Sequence, residues 1–304
     1  MSDSCNCGTG LGNTGLASCL AELKEVVSLI AVQTYKEDGT FNRIATTQTI
    51  NEAFVTALIN NADTSERWYP LANLENIGGE RADSVFNTSN AGTKKFVKKG
   101  VRNFTAEVWS GGVALLNKIE GNRCVEFSVY QVDADGKLVG LNKGDGYIYP
   151  IRVQKSTFDA KYMANNGADA EKIMISFDWD KREKDSELDY FTTATDIDLT
   201  DVRGLIDIYS TISNKTTTSF KAKLTNSFGA VNDRGVLKGL IAGDFALYNV
   251  TDSSAVTITT AVESPDGTYT FTFSAQTSAD VLRLTPTKNG YDFTNVVATT
   301  ILIP

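Results

Sequence analysis

The sequence predicts a mainly β, α+β chain in which a β-rich unit carrying one or two packed helices is followed by a smaller β-sandwich. Three observations predict it. From Thr216 onward, apolar residues alternate with Thr and Ser in short runs: Phe245 and Leu247, Val256 and Ile258, Tyr269, Phe271 and Phe273, Val281, Leu282 and Leu284, then Val296, Val297, Ile301 and Ile303. Turn signals at Asp252-Ser253-Ser254, Pro265-Asp266-Gly267 and Lys288-Asn289-Gly290 separate these runs, the rhythm of a two-sheet sandwich. Upstream, Val125, Phe127 and Val129 alternate ahead of Asp133-Ala134-Asp135-Gly136 and Leu138-Val139, a strand, a tight turn and a return strand.

The elements follow in order. Residues 1–15 are Ser, Asn, Gly, Thr and two Cys with little to bury, and they predict an N-terminal arm ordered only by a neighbour. Leu16, Leu20, Leu23, Val27 and Ile30 recur at helical spacing and predict an amphipathic helix from Leu16 to about Val32. Thr49 offers an N-cap for a short helix over Ile50–Ile59, closed by Asn60-Asn61. Strand material is expected over Phe96–Trp109 with a break at Gly100, then a helix over Val113–Glu120, then strands at Cys124–Val132, Tyr147–Val153, Ile173–Phe177 and Leu205–Ile212. The expected organisation is an arm (1–15), a β-rich assembly unit (16–215) and a sandwich (216–304).

Composition narrows the function classes. The 304 residues include no histidine, which removes Ser-His-Asp and Cys-His catalysis, histidine metal sites and the usual neutral-pH general base. No nucleotide-binding glycine motif stands in the required strand-to-helix setting. Paired carboxylates would remain for an enzyme, at Asp178-Trp179-Asp180 and at Asp196, Asp198 and Asp201, but a solvated acidic loop is the plainer reading and no enzyme is expected. Cys5-x-Cys7 with Cys19 lacks zinc spacing, so no metal or cofactor is expected and the four cysteines are read as free thiols. Asp133–Gly136 resembles the start of a calcium loop but lacks the distant ligands, and a hairpin turn explains it. Neither a secretory leader nor a membrane-spanning run is seen, so synthesis in a cytoplasm is expected.

Charge is unevenly spread. The net charge of −8 argues against a protein that grips nucleic acid by its phosphates. Asp178–Asp201 holds nine acids against three bases, a local −6. Within it Asp178, Asp180, Glu183, Asp185, Glu187 and Asp189 are candidates for a DNA-repelling channel lining or a subunit interface, with a solvated loop as the bland alternative. The one basic cluster, Lys94, Lys95, Lys98, Lys99 and Arg102, is interleaved with Phe96, Val97 and Val101. It reads equally as a subunit contact and as the solvated face of a strand pair. One basic and one acidic patch on a single chain suit a heterologous ring-forming or stacking contact.

Gly79-Glu80-Arg81-Ala82-Asp83-Ser84-Val85-Phe86, Lys98-Lys99-Gly100-Val101-Arg102-Asn103-Phe104 and the run Cys124–Asp133 resemble the major tail tube proteins of tailed phages that infect Bacteroidetes-type hosts, over residues 65–155. The resemblance implies a tail-tube-like β-barrel or sandwich with a packed helix and a C-terminal Ig-like domain on the tube's outer face. It also implies a virion protein whose homohexameric rings stack into a tube that passes DNA without binding it specifically, with other virion proteins as further partners and no catalytic residue. The cysteine-bearing arm and the acidic stretch depart from the pattern. A capsid auxiliary or decoration protein, and a cell-surface or carbohydrate-binding β-module, are the alternatives.

Overall fold

The computed structural model describes residues 22–71 and 73–304. The chain is mainly β, as expected. It enters along β1 (Val26–Gln33) and passes β2 (Ile44–Ala45), helix α1 (Glu52–Ile59), β3 (Tyr69–Leu71) and β4 (Leu74–Gly78). The pair β5 (Val85–Thr88) and β6 (Lys94–Lys98) follows, then β7 (Asn103–Val108), helix α2 (Gly112–Gly121), β8 (Phe127–Asp133), β9 (Leu138–Asn142), β10 (Tyr147–Tyr149) and β11 (Ile151–Arg152). β12 (Asp159–Met163), β13 (Lys172–Asp178) and β14 (Leu188–Phe191) complete the first unit.

Two sheets form the body of that unit, and β5 and β6 pair only with each other. One runs β2-β10-β9-β8-β1-β3, with β11 also on β8 and β14 on β9; the other runs β12-β13-β7-β4. Leu29, Val129, Leu141 and Ile151 of the first sheet meet Phe104, Ile173, Ile175 and Phe177 of the second, with Ile119 of α2 in the same core. The opposite face of the first sheet is covered as well. Ile30, Val32, Tyr130, Val132 and Leu138 pack with Val55 and Ile59 of α1 and with Trp68. A sheet sealed on both faces needs apolar side chains at consecutive positions.

That requirement explains the first correction. The helix expected over Leu16 to Val32 is strand β1 from Val26 onward, and Leu16 to Ala21 lie outside the described residues. Val-Val-Ser-Leu-Ile-Ala-Val matches a helical stripe only because both faces of the strand are apolar; its β-branched density favours the pleat. The expected arm, 1–15, also lies outside the described residues. Helix α1 is capped by Asn51, whose Oδ1 accepts from the Phe54 amide at 2.9 Å, rather than by Thr49.

The second unit comprises β15 (Ile206–Ser213), β16 (Ser219–Ala230), β17 (Asp233–Val236), β18 (Phe245–Asn249), β19 (Ser254–Val256), β20 (Ile258–Glu263), β21 (Thr268–Phe273), β22 (Val281–Pro286), β23 (Tyr291–Asp292), helix α3 (Thr294–Val297) and β24 (Thr300–Leu302). Its sheets run β20-β21-β16-β15-β23 and β19-β18-β22-β24. Lettering β15, β16, β18, β19, β20, β21, β22 and β24 as A, B, C, C′, D, E, F and G gives D-E-B-A against C′-C-F-G, the Ig strand order. No cysteine or tryptophan lies in this unit, so Phe220, Phe245, Tyr269 and Phe271 fill the centre instead. The ring centroids of Phe245 and Phe271 are 4.8 Å apart, edge to face.

The expected boundary at residue 216 needs correcting too. β15 pairs with β16 from Ile208↔Asn226 to Ser213↔Lys221, and Ile208 is fully buried in the sandwich core, so the sandwich begins at Ile206. Thr216 sits in the turn between the first two sandwich strands, hydrogen-bonded to Ser219. The two units also touch. Arg67 pairs with Asp292, both side chains mostly buried, and Lys118 Nζ lies 2.7 Å from Asp207 Oδ2.

Candidate functional site

The candidate site is the β5–β6 hairpin and the segment that clamps its base. Three residues, Asn90-Ala91-Gly92, reverse the chain between Ser89 and Thr93. The Gly92 amide donates to the Ser89 carbonyl at 2.9 Å, the Ser89 amide donates to the Thr93 carbonyl, and Gly92 takes φ +81°. This is a three-residue hairpin loop ending in a left-handed glycine. Phe86 pairs with Phe96 across the strands, ring centroids 5.8 Å apart.

Every residue of both strands is exposed, and among the described residues no further strand pairs with either. Phe86 is 51% exposed, Phe96 46% and Val97 56%. An isolated hairpin is only marginally stable in water, and an edge-to-face aromatic pair adds about 0.5–1.5 kcal/mol. Clustered exposed aromatics of this kind mark contact surfaces. Lys94, Lys95, Lys98 and Lys99 surround them and form no ion pair among the described residues.

The hairpin base is fixed. The Ala82 amide donates to the Val101 carbonyl at 2.8 Å, and the Asn103 amide to the Glu80 carbonyl. Gly100 is indispensable there, since a Cβ on it would fall 1.6 Å from the Ala82 carbonyl oxygen. Arg81 Nη1 donates to the Gly100 carbonyl at 2.9 Å, and its Nε to Asp185 Oδ2 at 2.9 Å. Arg102 Nη1 donates to the other oxygen of the same carboxylate at 2.7 Å while its guanidinium lies over Trp179. So Arg102, grouped in the sequence with the four lysines as either a subunit contact or a solvated strand face, is an internal clamp.

The acidic stretch is a strap, not a free loop. Its β14 pairs with β9 from Leu188↔Leu141 to Phe191↔Leu138. Arg182 binds Asp180, Arg152 binds the buried Glu183 with Lys143 3.8 Å away, and Lys184 binds Glu187 at 3.1 Å. Asn142 Nδ2 donates to Asp189 at 2.8 Å. Asp178 stands apart at the end of β13, beside Glu80 and Asp83. Arg81, Arg102, Lys143 and Arg152 all come from outside the stretch, so much of its local −6 is neutralised by the same chain. The other carboxylates noted in the sequence serve local structure: Asp198 accepts from the Thr200 amide and hydroxyl, and Asp201 pairs with Arg203. Asp133 accepts from the Asp135 and Lys137 amides, the turn expected there.

The clamp is acid-sensitive. Hydrogen bonds from Arg182 hold the Asp180 carboxyl down to about 2. Burial alone would raise the Asp185 carboxyl, but the hydrogen bonds and charge of Arg102 and Arg81 outweigh it and leave it below its ordinary 3.8. A lowered folded-state pKa gives stabilisation that is present above the unfolded value and lost as pH falls through the folded one. The strap is therefore expected to hold at pH above about 5 and to loosen between about 4 and 2. The emission of Trp179, under Arg102, checks this in an acid titration of a Trp68→Phe/Trp109→Phe background. A transition centred above about pH 5 would contradict it.

No family model, curated protein or solved structure matches the chain.

Proposed function

We propose that this chain is a structural subunit that assembles with copies of itself, and specifically a virion protein whose hexameric rings stack as the tail tube of a tailed phage. The observation that carries the reading is the β5–β6 hairpin, which holds two phenylalanines and four lysines in water on a base clamped by Arg81, Arg102 and Asp185. A monomer gains nothing from that exposure, whereas a contact arm requires it. The double-sheet unit with a packed helix and the Ig-ordered sandwich agree with the architecture that the sequence resemblance implies. On this reading the chain carries out no chemistry, and DNA is cargo that passes it.

Negative-stain microscopy of the purified full-length protein tests the proposal. Rings with six-fold symmetry or tubes are expected for the natural sequence. Phe86→Ser/Phe96→Ser is expected to leave monomers with an unchanged melting temperature, because neither ring belongs to a core cluster. Monomers from the natural sequence that attach only to capsids would sink the tube reading in favour of a decoration protein. Assembly of the double variant at the natural level would remove the hairpin from the contact.

A further inference from the structure

The hairpin prolongs one strand pair of the second sheet. β4 pairs with β7 from Leu74↔Val108 to Gly78↔Thr105, Arg81 then bridges Arg102, and β5 pairs with β6 from Val85↔Lys98 onward. One antiparallel ribbon results, with β4 and β5 along one side and β7 and β6 along the other. In the body of the unit β13 covers the β7 side, and its register with β7 ends at Asp178↔Asn103. Beyond that point the edge of β6 is unpaired among the described residues. On the opposite side β4 is the last strand of its sheet, so its outer edge is unpaired as well.

A cleft of about 970 Å³ opens beside β4. Every residue from Asn73 to Gly79 lines it, as do Val26 and Val27 of β1. That end of β1 is unpaired on the β3 side, because β3 covers only Leu29, Ile30 and Ala31. Two strands with unpaired edges therefore border one opening, the setting in which an extended chain adds to a sheet. The charged residues that line the cleft are Glu25, Glu75 and Arg102, and Arg102 is already held by Asp185. Glu25 and Glu75 are exposed and form no ion pair among the described residues, which leaves the opening acidic.

We infer that this cleft receives strand β6 of a second copy of the chain, which adds to the edge of β4 and sets its lysines beside Glu25 and Glu75. This inference rests on the assembly reading. Length, charge and topology choose the occupant. β6 offers the five residues Lys94–Lys98 to the five of β4, Leu74–Gly78, and each strand spans about 17 Å at roughly 3.3 Å per residue. Three of the five in β6 are lysines, whereas β5 carries no charge and would bring nothing to the two carboxylates. β6 cannot serve its own chain, because the ribbon holds it on the side away from the outer edge of β4. A copy that receives β6 on β4 still offers its own β6, so the contact is heterologous and propagates as a ring or stack requires.

The test compares the natural full-length protein with two charge-reversed variants, Glu25→Lys/Glu75→Lys and Lys94→Glu/Lys98→Glu, each checked for an intact fold by circular dichroism. Each variant alone is expected to assemble on the order of tenfold more weakly, read by sedimentation at low salt. Mixed in equal amounts they should recover the natural level, because each reversed cleft then meets a reversed strand. Hydrogen exchange reads the backbone: in the assembled natural protein Asn73–Gly79 and Lys94–Lys98 gain protection together. Failure of the mixture to recover, or assembly that leaves Asn73–Gly79 unprotected, overturns the cleft while the assembly reading stands. Protection of Asn73–Gly79 that persists in the Lys94→Glu/Lys98→Glu variant gives the cleft to another segment and overturns the choice of β6. A natural protein that stays monomeric overturns the assembly reading and this contact with it.

Discussion

A fragment spanning residues 204–304 is expected to melt as one cooperative unit, and a fragment spanning 216–304 is expected not to fold. The difference is a single strand. β15 supplies the antiparallel partner of β16 over Ile208–Ser213 and the parallel partner of β23 at Ile206 and Asp207. It also puts Ile208 into the core, with Ile206 and Ile212 packed against it. Fully burying an aliphatic side chain is worth about 1.5–3 kcal/mol, so losing Ile208 together with the partial burial of Ile206 and Ile212 removes a large share of the roughly 5–15 kcal/mol stability of a typical domain. The shortened fragment would also expose the inner flank of β16, a long unpaired edge that invites aggregation. Thermal melts by circular dichroism decide the matter. A cooperative transition from 216–304 would show that β15 is dispensable and that the boundary belongs at its end.

Gly100→Ala is expected to abolish assembly while leaving both cores folded. The new methyl group would stand 1.6 Å from the Ala82 carbonyl oxygen, and the obstacle is backbone, which cannot turn aside as a side chain can. The strand pair at the hairpin base must separate, losing the 2.8 Å bond from Ala82 to Val101 and the seat of Arg81 on the Gly100 carbonyl. None of the three core clusters includes a residue of β5 or β6, so the global melt should shift little while the hairpin loses its fixed direction. Sedimentation and thermal melting of the same sample separate the two effects. A variant that assembles normally would mean that the direction of the hairpin is immaterial to the contact.

Elements with one wet face were legible in the sequence. β18, β21 and β22 alternate buried and more exposed positions, and their apolar residues were recognised as strand material from that rhythm alone, whereas Val296 and Val297, read in the same way, lie in helix α3. Asp133–Gly136 was legible because a carboxylate that caps its own turn leaves a composition signature. β1 was not legible, because a strand buried on both sides presents a run that also fits a helix. The hairpin was half legible: the strand material expected over Phe96–Trp109 takes in the second half of β6, but nothing local says that Phe86 and Phe96 face water. The clamp was hidden for another reason. Net charge along a segment does not reveal where its counter-ions lie, and those of the strap come from positions as remote as Arg81 and Arg152.

The pairing of Arg67 with Asp292 and of Lys118 with Asp207 has a consequence for whatever the C-terminal sandwich meets. Held at two points besides the chain itself, the sandwich cannot swing as a tethered bead would. In an assembly it becomes one of an array of identical surfaces at set spacing and tilt. A ligand repeated at matching intervals then gains the second and later contacts at high effective concentration, and overall avidity can exceed the affinity of one copy by roughly 10²–10⁴ with no new contact. A ligand at the wrong spacing gains none of this, so the two ion pairs turn a weak surface into a ruler.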